Sequence, residues 1–255
     1  MADNTFTPPG ARDLFPPEIV GWVTKPMILV VLSTFIIAGF FLITARRLTI
    51  VPNRLQFAAE TIYDFGRNTI AREQIGGKDF APYVPFILSL FTFVLVNNIF
   101  GIIPLIQFPT MAHIGFPAAL AILLVFPTYH VVGIRRHGLR GYLRNQFSYP
   151  GVPKPVLWFL LIPTEIILKF FFDPVTLAIR VFAAMFAGHL LVVVFVLGGE
   201  FLLLHAGPLV KPVSLLSFAL AIAITLLEAL IQVLQAYIFA TLSAHYIGRA
   251  LAADH

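Results

Sequence analysis

The sequence predicts an all-α polytopic membrane protein, and three observations carry that expectation. It is 59% hydrophobic and only 11% charged, with a mean hydropathy of +0.91, more apolar than a soluble core needs. Runs of about 20 residues without Asp, Glu, Lys or Arg recur, the length that crosses a ~30 Å hydrocarbon layer as a self-bonded helix. Most remaining charges lie beside those runs. The alternating ten-residue segments of a membrane barrel are absent.

Taken in order, "MADNTFTPPGARDLFPPEIVGW" is polar and proline-rich. It lacks the basic-then-apolar build of a cleaved signal peptide and the arginine- and serine-rich build of a transit peptide. Residues 26–45 form a first span, closed by Arg46 and Arg47. Over 53–75, Leu55, Ala58, Ala59, Ile62, Phe65 and Thr69 recur at helical spacing, while Glu60, Asp64 and Arg67 share another face. Pro52-Asn53 with Gln56 three residues on resembles a helix start. An amphipathic helix on the membrane surface fits this pattern.

Residues 80–134 hold no Asp, Glu, Lys or Arg, too long for one span and right for two. "GIIPLIQFPTMAHIGFP" divides them into spans at 80–104 and 114–134. Asn97 and Asn98 fit interhelical hydrogen bonds that pack the bundle. A basic, turn-rich loop follows over 135–155.

The chain re-enters lipid over 156–206, turns at "GPLVKP", and closes with an apolar stretch over 213–249. Residues 156–206 would extend roughly 77 Å as one helix. That length fits either two spans or one long, tilted helix, with Asp173-Pro174 as the place for a turn or kink. No loop residues exist to make a reversal there, so a single tilted helix is the simpler expectation. Five crossings then put Arg46, Arg47, Arg54, Arg67, Arg72, Lys78, Arg135, Arg136, Arg140, Arg144, Lys154 and Arg249 on one side. By the positive-inside rule that side is cytoplasmic and the N-terminus lies outside.

Ionisable groups in lipid cost roughly 2.5–3.5 kcal/mol each at a helix centre. The last two stretches nevertheless carry Glu165, Lys169, Asp173, Arg180, His189, Glu200, His205, Glu228 and His245, joined by Gln232 and Gln235. If they form an antiparallel hairpin turning near Pro208, level residues have numbers summing to about 416. His189 is then beside Glu228, and Arg180 beside Gln235. Glu228, Gln232 and Gln235 share one helix face, as do Glu165, Lys169 and Asp173. Glu165 with Lys169 fits either a stabilising ion pair or a polar lining. Glu200 fits a channel mouth or an interfacial residue, and His245 a channel lining or a helix end. Arg180 has no carboxylate at its level and lies too deep to reach either surface easily, so its partner is sought on another chain.

These residues carry a family likeness. "PVTLAIRVFAAMFAGH" resembles the arginine helix of the a-subunit family of F-type ATP synthases, and "LEALIQVLQAYIFATLSAHYIG" is similar to its last helix. "PNRLQFAAE", "NNIFGIIP" and "GIRRHGLRGYL" resemble its other segments, in the same order over about residues 50–250. The resemblance implies five transmembrane helices and a surface helix, with the last two long and tilted against a rotor ring of subunit c. It also implies a peripheral-stalk subunit b, a soluble ATPase head, and a bacterial inner (plasma) membrane rather than a mitochondrial one. Residue by residue, it makes Arg180 the essential arginine and Gln235 the glutamine near it. His189 and Glu228 match the outer half-channel, with Glu200 a candidate at its mouth. Glu165, Asp173 and His245 are candidates for the inner half-channel. The family often has Gly-Asn or Ala-Asn after the phenylalanine, whereas this chain has Ala183-Ala184, and "IRV" replaces the commoner "LRL".

Several classes are disfavoured. No GxxxxGK[ST] occurs, so no nucleotide chemistry is expected of the chain alone. Without cysteine, no cysteine metal site or disulfide framework exists. No cofactor is expected, and the basic residues beside spans do not suggest nucleic acid. A stand-alone ion-coupled secondary transporter is the alternative, but it should show internal repeats, and none is evident.

Overall fold

The computed structural model describes residues 6–10, 18–21, 23–46, 48–77, 79–103, 106–147 and 154–252. Five helices in it are long and apolar enough to cross a membrane. They are α1 (Lys25–Arg46), α3 (Ala81–Ile99), α4 (Gly115–Arg144), α5 (Phe159–His205) and α6 (Lys211–Leu251). Between α1 and α3 runs a continuous helical stretch over 54–75, α2. A short antiparallel ribbon, Glu18–Val20 with Val23–Thr24, precedes α1. Arg47, Lys78, Pro104, Leu105 and residues 148–153 of the expected segments lie outside the described residues.

Helix starts follow local chemistry. Asn53 caps α2, its Oδ1 accepting from the Gln56 backbone at 2.8 Å, which satisfies one of the free first-turn donors. Proline opens α1 (Pro26) and α6 (Pro212) at positions where its missing N–H costs nothing. Inside helices proline is harder to place, because it cannot donate and its ring crowds the carbonyl four residues back. Pro127, Pro163 and Pro174 each stand two residues past the end of a π-helical run, at Leu120–Val125, Leu157–Leu161 and Ile167–Phe172. The wider turn relieves the clash, so the helix continues instead of breaking. Asp173-Pro174 is accordingly not a reversal. α5 runs through it, about 70 Å at 1.5 Å per residue, far more than a bilayer's hydrocarbon thickness.

Residues 135–147, expected as loop, are helical. A bend interrupts them at Gly138, whose φ of 69° few other residues adopt cheaply. The chain after the bend folds back. The Tyr142 hydroxyl meets His130 Nδ1 at 2.7 Å, and its ring covers Gly133, where a Cβ would collide with it.

α5 and α6 form the antiparallel hairpin. Ser217 Oγ donates to the Phe195 carbonyl at 2.7 Å, and a Cβ on Gly199 would touch the Phe218 ring at 3.1 Å. At the far end Arg249 pairs with Asp173 at 2.9 Å. α3 packs on α6 and seats its two asparagines between helices. Asn97 Nδ2 donates to Ser33 of α1 at 2.8 Å, and Asn98 Nδ2 to the Gln232 carbonyl of α6 at 3.2 Å. The main core gathers Ile87, Phe91, Val94, Leu177, Val181, Met185, Phe239 and Ile247 among others. α2 buries Ala59, Gly66 and Ile70 and leaves Glu60, Asp64 and Arg67 exposed. Its far end lies against α6 at Gly248.

Candidate functional site

Two faces of α5 do different things. Pro174, Leu177, Ala178, Val181, Met185 and His189 are buried, a stripe of three- and four-residue steps turned into the bundle. Thr176, Ile179, Arg180, Ala183, Ala187 and Leu191 form the opposite, exposed stripe. Arg180 and His189 are nine residues apart, two and a half turns, and so point in opposite directions. Arg180 is the only charge on its stripe. It lies about 31 Å along the helix from Phe159 and about 37 Å from His205. Among the described residues no carboxylate lies within ion-pair distance of it.

His189 and Glu228 both lie buried on the inner side of the hairpin. Glu228 is 3% exposed and His189 9%. They line one crevice of about 310 Å³ together with Gly101, Ile102, Gln107, Thr225 and an apolar wall of α5 from Val192 to Leu197. This is room for several waters beside polar groups able to hold them. The helices approach closely because Gly188 faces Glu228, where a Cβ would lie 3.3 Å from Glu228 Cγ. Gln232, fully buried, continues the polar face of α6 and donates from Nε2 to Glu228 Oε1 at 3.4 Å. Gln235 follows, half-buried, its Oε1 without a hydrogen-bond partner among the described residues. It does not line the crevice, and no hydrogen bond joins it to Arg180.

The remaining candidates lie toward the two ends. Glu165 and Lys169 pair at 2.8 Å in i,i+4 spacing. Asp173 is held by Arg249, whose guanidinium also sits 5.3 Å from the Tyr246 ring centroid. His245 is exposed on the same last turns of α6, and Glu200 is exposed near the other end of α5. The structure thus gathers His189 with Glu228, and Asp173 with the end of α6. It leaves Arg180 facing outward.

The family model described as ATP synthase A chain matches residues 27–248. A protein of Pseudarthrobacter chlorophenolicus named ATP synthase subunit a is 48% identical over 98% of this chain and 94% of its own length. One of the same name from Nocardioides sp. is 44% identical over 98% and 95%, and one from Rhodococcus erythropolis 36% identical over 100% and 94%. The chain belongs to the ATP synthase A chain family.

Within that family frame the Ala183-Ala184 departure has a local structural account. Ala183 lies on the exposed stripe with Arg180, whereas Ala184 packs against the apolar core. An apolar contact therefore stands where the family often carries asparagine. Sequence reasoning also passed over groups that build the crevice. Gly101 leaves little room for a side chain, since a Cβ there would lie 3.0 Å from both Gln232 Nε2 and Pro109 Cβ, and those neighbours would have to give by a few tenths of an ångström. Gln107 and Thr225 line the same space. Lys25, one residue before the first span, donates to the Ile106 carbonyl at 2.6 Å. The one available signal for Gln107 was a polar residue amid "PLIQFP".

Proposed function

We propose that this chain is the proton-conducting stator subunit of an ATP synthase. It would reside in a bacterial plasma membrane, with its N-terminus outside and its basic end cytoplasmic. The observation that carries the reading is Arg180, a permanent cation on an exposed apolar stripe deep in a membrane-crossing helix, with no carboxylate of its own chain in reach. Such a charge needs a partner, and a carboxylate on a rotating ring of small c subunits is the partner that makes it useful.

Protons from outside travel through the His189–Glu228 crevice and neutralise a ring carboxylate. The neutral carboxyl can turn through lipid, which a carboxylate could do only at high cost. After nearly a full rotation it meets an inner aqueous path near Glu165, Asp173 and His245 and loses its proton. Arg180 favours that loss. At about 4 Å and an effective dielectric of about 20, the attraction is about 4 kcal/mol, equivalent to about three pKa units of depression. The same fixed charge opposes a proton passing directly between the two paths. Hydration of the pair keeps the attraction from stalling the rotor, and Gln235 offers the arginine a further hydrogen-bond partner. Subunit b holds the chain against the torque, and ATP chemistry stays with the soluble head. The expected non-catalytic role of this chain follows from that division.

Purification of the tagged chain from its native membrane in mild detergent tests this assignment. It should bring down a ring of small hairpin subunits and a soluble ATPase. Recovery of the chain alone, with proton-coupled solute uptake on reconstitution, would instead favour a stand-alone transporter.

A further inference from the structure

Gln107 has a φ of 43°, the one positive value for a non-glycine residue among the described residues. The left-handed conformation costs roughly 1–2 kcal/mol for a residue with a Cβ, and glycine would adopt it freely. A backbone in such a conformation needs something to hold it.

The surrounding contacts supply that hold. The Gln107 and Ile106 backbones donate to the Ile103 carbonyl at 2.8 and 2.9 Å, and the Phe108 N–H donates to the Phe100 carbonyl at 3.3 Å. Lys25, at the start of α1, donates to the Ile106 carbonyl at 2.6 Å, and its ammonium sits 5.9 Å from the Phe108 ring centroid. Phe108 in turn stands edge-on to the His189 ring, 6.5 Å between centroids. Held between these contacts, Gln107 lines the crevice that contains His189 and Glu228. The hydroxyl of Thr225, which also lines the crevice, donates to its own helix at the Ala221 carbonyl.

We infer that Gln107 is a third working group of the outer proton path, its amide ordering the water between bulk and the His189–Glu228 pair, and that Lys25 locks it there. An amide can donate to one water and accept from another. It can therefore bridge a chain of waters without itself titrating. This inference rests on the function proposed above.

The test uses the whole complex in native membrane vesicles. It reads ATP-driven proton pumping, passive proton conductance after removal of the ATPase head, and the amount of assembled subunit. Gln107→Leu should lower conductance and pumping at least threefold. Gln107→Gly relieves the strained φ, so assembly should equal or exceed that of the parent while conductance falls as with leucine. Lys25→Met should lower conductance in the same direction. Parental conductance in a well-assembled Gln107→Gly variant would overturn the role of the amide, whatever the leucine variant does. Parental conductance in Lys25→Met would overturn the lock. The parent reading has its own control in Arg180→Ala. Pumping lost there but kept in the Gln107 variants rejects only Gln107, whereas pumping kept in Arg180→Ala rejects both.

Discussion

Arg180→Ala should leave ATP hydrolysis by the soluble head running while ATP-driven acidification of inverted vesicles disappears. On the function proposed above, the substitution removes about 4 kcal/mol of attraction for the ring carboxylate, so proton release toward the inner path loses its driving term. It also removes the fixed charge that opposes a proton crossing directly from one path to the other. Passive proton leak should therefore rise as coupled pumping vanishes. The fold should tolerate the change, since Arg180 lies on the exposed stripe of α5 and takes no part in the apolar core. Arg180→Lys keeps the charge but not the planar, forked donor set, and coupled turnover should survive only poorly. Fluorescence quenching of a pH-sensitive dye in vesicles, with ATPase rate and subunit level measured in parallel, separates these outcomes.

Gly248→Leu should act on the fold instead. A Cβ at 248 would collide with the Gln74 carbonyl oxygen and lie 3.0 Å from Ile75 Cα. Both obstacles are backbone, so no rotamer change relieves them. The end of α2 must move off α6, or α6 must move off the core it shares with α3. Overpacking of this kind costs about 1–3 kcal/mol for small additions, and the leucine branch adds to it. Gly248→Ala should lower the unfolding midpoint in detergent measurably, and Gly248→Leu should reduce the subunit in assembled complex severalfold. Gly39 is the control. Nothing lies within 4 Å of a Cβ there, and alanine in a helix interior is favoured over glycine by about 0.8–1.0 kcal/mol. Gly39→Ala should therefore be neutral or mildly stabilising.

Much of the architecture was legible because lipid leaves few solutions. Charge-free runs of span length and Pro/Gly breaks are enough to mark five apolar helices, and helical spacing marks the helix over 54–75. The level pairing of His189 with Glu228 followed from hairpin arithmetic, because two straight helices turning at one loop keep a constant sum of residue numbers. Helix rotation was the harder matter. Arg180 and Gln235 lie at similar depth by that arithmetic, yet the nine-residue step from Arg180 to His189 turns the arginine outward while the histidine faces the bundle. Asp173, expected on a water path, is tied to Arg249, a partner 76 residues away that periodicity within one helix cannot reveal. The helical continuation over 135–147 was hidden by its glycines and basic residues, which read as a loop. Lys25 and Gln107 depend on backbone contacts across the N-terminal half, and nothing in a local pattern announces those. Pro127, Pro163 and Pro174 break no helix, since each needs only a preceding wide turn.

The central claim is that the exposed stripe around Arg180 faces a moving carboxylate on another chain. With no native cysteine in this sequence, paired cysteines test it directly. One is placed at Ile179 or Ala183 on the exposed stripe, and the other on the small ring subunit one turn from its carboxylate. Disulfides form only when Cα atoms approach within about 7 Å. Mild oxidation of native membranes should yield a heterodimer of the two chains from either position, and none from Met185→Cys, which is buried on the opposite face. Absence of the heterodimer from both Ile179→Cys and Ala183→Cys, in complexes that still assemble, would contradict the account.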